Sequence, residues 1–383
     1  MDYPDDRIAT THIGSLPRSE VVLDLLRKRQ RGEPVDDDEW VETLTAATEA
    51  VLDRQVEAGL DYVNNGEQGR ASFNWYVADR ITGIDGDRPA PMWADLADVP
   101  GYAEEAFETD VIDLTTQPAI TGPITYDGTD AATEELDIFL DALDGRELAP
   151  EDAFITAASP GVIAATHDNE YYDDYETYIY AVADAIQTEY ELVADTGVTL
   201  QIDAPALIAA GHRNFVDAPT EDWLEFARLH VDAINQALAN VPSDQVRLHT
   251  CWGSYEGPHH LDRDLVDVLP ILYEADISAL SVEQANPRHQ HEYRAFAAEP
   301  LPADWTLIPG VVDVKTNIVD HPETIADRLE RVADAIEDPG RLVAAPDCGF
   351  GTQAGLAMVY PDIAWKKLDA LAEGAAIATD RLF

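Results

Sequence analysis

A (β/α)8 barrel, an α/β fold in one domain with a helical extension near its N-terminus, is what this sequence predicts. Three observations predict it. Short apolar or β-branched runs recur eight times, helix-period stretches lie between them, and the polar residues of the runs gather at their C-terminal ends.

In chain order the runs are "RIATTHIGS", "LDYVNNGE", "DAFITAASPG", "GVTLQIDAPAL", "QVRLHTCWG", "DISALSVEQ", "WTLIPGVVDV" and "RLVAAPDCGFG". After the first, residues 20 to 58 read as the helical extension. A ninth candidate, "QPAITGPITYDG", falls between the second and third runs and is expected to form an excursion, a hairpin. Stretches such as "DWLEFARLHVDAINQALANV" and "PETIADRLERVADAIE" repeat apolar residues at helical spacing, with Asp, Thr or Pro near their starts and Gly or Pro beyond their ends. No Pro/Ser-rich linker or short repeat divides the chain, so residues 1 to 383 are expected to be one domain. The competing architecture, a doubly wound open sheet binding a dinucleotide, needs a glycine-rich turn after the first strand, and "IGSLPRS" is not one.

Composition sets the surroundings. Acidic residues outnumber basic ones 75 to 24, a net charge of −51, and only Lys28, Lys315, Lys366 and Lys367 are lysines. Such a surface repels nucleic acid and anionic membranes, so neither is an expected partner. Apolar residues make up 46% of the chain and the acids are dispersed along it, which fits a folded protein adapted to high salt better than an acidic interaction protein. No apolar run is long enough to span a bilayer, and "MDYPDDRIATTHIGS" lacks the basic start and apolar stretch of a secretory signal. The expected compartment is the cytoplasm. There the two cysteines, Cys251 and Cys348, are expected to serve a metal or catalysis rather than a disulfide.

"LHTCWG" places His249 and Cys251 two apart on a strand, hence on one face. Alone, such a pair is half a zinc site, and each residue has an ordinary reading as a packed core side chain. The strand ends of the barrel add His12 and Ser15, Asn65 and Glu67, Asp203, Glu283, and Asp347 with Cys348. His249, Cys251, Glu283 and Cys348 supply one nitrogen, two sulfurs and one oxygen from strands expected to neighbour one another, a set acceptable to tetrahedral Zn2+. Two thiolates and a carboxylate give such a site a formal charge of about −1, which suits activation of a bound thiol better than activation of water. "PRHQHE" offers His289 and His291 as rival ligands from a loop, where both could also be exposed.

"THIGSLPRS", "NNGEQGR", "LQIDAPAL", "LHTCWG", "LSVEQ", "PGVVDVKTN" and "APDCGFGT", in that order over nearly the whole chain, resemble the C-terminal barrel of cobalamin-independent methionine synthase and its short single-barrel relatives. The resemblance implies zinc on His249, Cys251, Glu283 and Cys348, and homocysteine held by Ser15, Glu67 and Asp203. Two carboxylates beside a primary ammonium agree with that role. The implied reaction is methyl transfer to the homocysteine sulfur from a methyl-folate, a pterin or a corrinoid, the last possibly carried by a protein.

Three features set this chain apart from the long enzymes. Their first barrel has no counterpart, their basic folate segment is not recognisable in "VIDLTTQPAITGPITYDG", and Asp313-Val314-Lys315 stands where they carry Asp-x-His. Asp313 and Lys315 are therefore the candidate catalytic pair, with Lys315 expected either to act as a fixed positive charge rather than a proton donor or to form an ordinary ion pair with a rim carboxylate. The resemblance extends to epoxyalkane:coenzyme M transferases, whose sulfonate thiol would require cations such as Arg18 or Arg70. The reading from another class is a binding protein with a closed, structural zinc site.

Overall fold

The computed structural model describes residues 3–90, 94–102, 111, 116–356 and 358–383. Seven parallel strands form one curled sheet in the order β1-β9-β8-β7-β6-β5-β4. They are β1 (Ala9–Thr10), β4 (Phe154–Ala158), β5 (Thr199–Asp203), β6 (Val246–Thr250), β7 (Ala279–Val282), β8 (Thr306–Val312) and β9 (Val343–Pro346). Residues of β4 to β9 are buried nearly throughout, as expected of strands with side chains inside a barrel and helices outside.

The expected second strand closes the ring without becoming a regular strand. Thr10 O accepts from Asp61 N (3.0 Å) and Tyr62 N (3.1 Å) on one side, while Val63 pairs in parallel with Ala153 on the other. The reason is local. Gln55 Oε1 accepts from Asn64 N (2.9 Å) and Gln55 Nε2 donates to Asn64 O (2.8 Å), so one side chain replaces the ladder partner. Asn64 and Asn65 then cap the next turn, their Oδ1 atoms accepting from Gly66 N (2.7 Å) and Glu67 N (2.9 Å).

The expected N-terminal extension consists of two helices, Glu20–Gln30 and Asp37–Glu57. Asp36 caps the second, its side chain accepting from Glu39 N at 3.2 Å. The expected excursion is an antiparallel hairpin between β2 (Ile84–Pro89) and β3 (Thr116–Ile120), so only the first residues of "QPAITGPITYDG" are strand and the partner lies upstream. Within "VIDLTTQPAITGPITYDG", residues 112–115 lie outside the described set.

One expectation needs correction. The strands bearing His249 and Glu283, β6 and β7, are neighbours, but β8 stands between Glu283's strand and the β9 strand that leads to Cys348. Glu283 and Cys348 therefore meet across a stave rather than along one. Successive strands stagger around a barrel, so residues just beyond their ends can still converge over its mouth.

Candidate active site

Period two on β5 and β6 builds the floor. Arg247 and His249 share the inward face of β6, with Cys251 just beyond it, and Gln201 and Asp203 share the corresponding face of β5. Arg247 is fully buried, which requires every donor to find a partner. Its Nε donates to Gln201 Oε1 (2.8 Å), its two terminal nitrogens to Thr11 Oγ1 (3.1 Å) and His12 O (3.0 Å), and its guanidinium lies 3.5 Å from the Phe154 ring centroid. Gln201 Nε2 in turn donates to Asp203 Oδ1 at 2.7 Å. The buried arginine thus fixes the carboxylate above it through one amide. Sequence reasoning missed Arg247 and Gln201, although an arginine in the middle of an apolar strand is itself a signal of a buried network.

Above this floor Ser15, Glu67, Asp203, His249, Cys251 and Cys348 line one cavity of about 410 Å³. Glu283, Asp313 and Lys315 are not among the lining residues. The candidate metal atoms of His249, Cys251 and Cys348 all lie within 4.8 Å of one another. His249 Nδ1 is 3.2 Å from Ser281 Oγ, which turns the other ring nitrogen toward the thiols. A hydrogen bond with Cys348, and then His249, hold the Cys251 thiol well below the usual range despite its burial. The same contact pushes Cys348 up. One thiolate and one thiol beside an imidazole are a donor set that a soft divalent metal fits.

Glu283 is placed differently. Its Oε1 accepts from Lys315 Nζ and Asn286 Nδ2, and its Oε2 accepts from Trp252 N at 3.3 Å. The carboxylate is fully buried, and these donors replace the water it has lost. Burial opposes a charge on Lys315, but Glu283 outweighs it and raises the ammonium above its ordinary pKa. Asp313 Oδ1 accepts from Lys315 N (3.0 Å) and Oδ2 from Thr316 Oγ1 (2.6 Å), which shapes the turn that presents the lysine. Asp347, pushed up to about 7 by burial and Glu283, accepts from the backbone of Gln284 (2.8 Å), Ala285 (2.7 Å) and Asn286 (3.1 Å), tying β9 to the segment after β7.

The two cavity carboxylates differ in what they have to accept. Glu67 sits at φ 53° in the left-handed region, with Oε1 accepting from Thr156 Oγ1 at 2.9 Å and Oε2 buried without a hydrogen bond. Burial raises its pKa, against the pull of Arg70 and Arg18. Asp203 is pushed up to about 7, first by burial, with His249 opposing and Glu67 adding. An orphaned buried acceptor beside a second carboxylate is a place for a cationic donor. Arg18 donates to Gly351 O (2.6 Å) and Glu67 O (2.9 Å), and Arg70 to Glu135 and Thr156, so both cations are committed to the scaffold. His12, with Nε2 2.8 Å from Gln55 Oε1, is lowered to about 3 by burial and Arg247 and stays neutral.

Gly349 follows Cys348 where the chain passes Ser15 closely. A Cβ at Gly349 would fall 2.1 Å from Ser15 Oγ and 3.1 Å from Ser15 N. Gly349→Ala should therefore displace Ser15 and the Cys348 turn together, costing roughly 1–3 kcal/mol of stability by overpacking. Denaturant unfolding compared with wild type measures it.

Residues 161–361 match the family described as cobalamin-independent synthase, catalytic domain. The chain belongs to that family. The span includes β5 to β9 and every residue of the His249, Cys251, Glu283 and Cys348 set. At the level of whole chains, the methionine synthase of Pyrococcus furiosus is 26% identical over 364 residues, covering 94% of this chain and 90% of the relative. That of Thermococcus kodakarensis is 25% identical, covering 98% and 94%. Among solved structures, a B12-independent methionine synthase from Shewanella sp. W3-18-1 in complex with selenomethionine superposes with a TM-score of 0.72 at 18% identity, covering 98% of this chain and 99% of that one. A protein titled the putative vitamin-B12 independent methionine synthase from Listeria monocytogenes gives 0.64 at 19%. These two establish the fold shared with the family, an α/β barrel, and membership makes the chain one of a family of methyltransferase enzymes.

Proposed function

We propose that this enzyme methylates the sulfur of homocysteine to give methionine, with zinc bound by His249, Cys251 and Cys348 and with Glu283 as the exchangeable fourth ligand. The observation that carries the reading is the single cavity that joins a His-Cys-Cys cluster to Glu67 and Asp203. Zinc at such a site lowers the pKa of a thiol bound to it, making the sulfur nucleophilic at neutral pH. The remaining work belongs to the protein. Glu67 Oε2 and Asp203 receive the substrate ammonium, Ser15 borders the same space, and Gln201 and Arg247 hold Asp203 in place.

The position of Glu283 supports a catalytic site over a closed structural one. Three ligands cluster, while the fourth carboxylate is engaged by Lys315, Asn286 and Trp252 N, leaving a position that a substrate thiol can take. Lys315 compensates the charge of Glu283 whether or not the carboxylate binds metal. Its raised pKa and its partner argue against proton delivery to a leaving group. We therefore favour, among folate, pterin and corrinoid carriers, a donor whose leaving group needs no proton, which a corrinoid satisfies. The sulfonate-thiol reading finds Arg18 and Arg70 already committed, and so ranks behind an amino-acid thiol.

The acidic surface is read as an adaptation to high salt, where a short Debye length of about 3 Å at 1 M screens its self-repulsion. No helix of the described residues is long and apolar enough to cross a membrane, and we propose a cytoplasmic enzyme. Assays in high salt with methylcobalamin and with methyl-folate as donors, for wild type and Lys315→Gln, test the donor. Transfer from methylcobalamin should exceed that from methyl-folate in wild type, and the variant should show no new solvent isotope effect. A folate reaction that depends on Lys315 and shows rate-limiting proton transfer would reverse the assignment.

A further inference from the structure

Outside the catalytic cavity, three histidines gather around one buried carboxylate. Asp262 follows β6, His289 follows β7, and His212 closes the helix Ala206–Arg213 after β5. His259 completes the group three residues before Asp262. None of the four side chains is more than 4% exposed. We propose that His259, Asp262, His289 and His212 form a second metal site, closed and structural, for a zinc-class divalent cation.

The distances define the site. His259 Nδ1 and His289 Nε2 each lie 2.8 Å from the same oxygen, Asp262 Oδ2, and His212 Nδ1 lies 3.2 Å from Oδ1. Ligand atoms of His259, Asp262 and His289 are all within 4.8 Å of one another. Around a zinc ion with bonds of about 2.0–2.1 Å, tetrahedral ligand atoms sit about 3.3 Å apart, so small adjustments of His259, Asp262 and His289 admit the ion, and His212, outside that close group, would have to move in as the fourth ligand. Three imidazoles and one carboxylate supply N3O, a set suited to zinc, cobalt or nickel rather than to calcium or magnesium.

Proton accounting gives an independent reason. The other nitrogen of His259, Nε2, is 3.0 Å from the carbonyl oxygen of Tyr255, which can only accept. Nε2 must therefore carry the proton of a neutral ring, and Nδ1 then turns a lone pair toward the lone pairs of Asp262 Oδ2. Something positive must stand between them. Oδ1 of Asp262 adds to the demand, since it is buried and accepts no hydrogen bond. A divalent cation answers both needs at once. A single extra proton on His259 answers the first and leaves the second.

The surroundings are those of ligands held by outer partners. Tyr255 O orients His259, and Asp95 Oδ2 accepts from both His259 N (3.0 Å) and Tyr255 Oη (2.5 Å). The Trp252 ring stacks on His289 with centroids 3.7 Å apart and planes within 11°. Trp252 is the residue after Cys251, and Asn286, which donates to Glu283, accepts from His289 N at 3.1 Å. The second metal would thus clamp the segments after β5, β6 and β7 to one another without sharing a ligand with the catalytic cluster.

Elemental analysis of purified protein, with x-ray absorption at the metal edge, tests the proposal. Wild type should hold two metals per chain, and Cys251→Ser/Cys348→Ser should retain one with nitrogen and oxygen ligands only. Asp262→Asn/His289→Gln should also retain one, with sulfur ligands. A Cys251→Ser/Cys348→Ser protein that is folded by circular dichroism but free of metal overturns the second site, whatever becomes of the Asp262→Asn/His289→Gln protein. One metal in wild type that survives loss of both cysteines supports this site and removes the zinc of the proposed reaction instead, so the two readings fail separately.

Discussion

Cys251→Ser is expected to lose the catalytic zinc and with it nearly all methyl transfer. Serine keeps the shape but replaces a readily ionised sulfur with a hydroxyl that stays protonated and is a poor ligand for zinc. Apparent zinc affinities of about 10–16 kcal/mol, shared over four ligands, put the loss from one of them at roughly 2.5–4 kcal/mol, or about 10²–10³ in metal affinity. The structure adds a reason for Cys251 to matter more than a lone ligand. It is the thiol that the hydrogen bond with Cys348, and then His249, favour as thiolate, so its removal also takes away the charge that raises His249 against its burial. Sulfur-ligated zinc and turnover measured together on the variant should fall in parallel. Full turnover with the zinc gone would separate metal from catalysis.

Asp203→Asn should leave metal bound and weaken homocysteine. A charged hydrogen bond to an ammonium contributes about 1.5–3 kcal/mol, so the dissociation constant should rise roughly 10- to 150-fold. Asparagine still accepts from Gln201 Nε2, which keeps the floor intact while removing the charge. Glu67→Gln should act in the same direction, because Gln presents an amide where Glu67 Oε2 has no hydrogen bond of its own. The pH dependence follows from burial. With Asp203 near 7, the carboxylate form that pairs with the ammonium is present above that value and is lost as pH falls through it. Calorimetric affinity in wild type should therefore drop on going from pH 8 to pH 6, and in Asp203→Asn that part of the slope should vanish. Unchanged affinity in both variants would mean that the thiol substrate carries no ammonium at this place.

How much of this was legible depends on how local the determining contacts are. The barrel was readable because each strand and helix announces itself by its own period. The second stave was not, since Gln55 on the preceding helix replaces a sheet partner at Asn64, a contact invisible to periodicity. The hairpin was half readable, for "IDGDRP" in β2 carries no apolar alternation that would mark a strand. His249 with Cys251 stood out by spacing, and the floor residues Arg247 and Gln201 share that spacing but belong to no familiar metal pattern. The histidine cluster draws residue 212 from the end of a helix and residues 259, 262 and 289 from two separate loops. Of the rival ligands in "PRHQHE", His289 is buried in that cluster while the His291 side chain is 47% exposed. An ion pair between Lys315 and a rim carboxylate was one of the two expectations for that lysine, but its partner, Glu283, depends on how β7 and β8 stagger.

Activation of a thiol substrate at the His249, Cys251 and Cys348 cluster is open to direct observation by zinc-edge absorption with and without homocysteine in high salt. A metal at the histidine cluster contributes the same nitrogen and oxygen signal to both spectra and cancels in their difference. Homocysteine should add one sulfur neighbour at about 2.3 Å and remove one oxygen, the Glu283 carboxylate. Identical spectra at saturating homocysteine would contradict it.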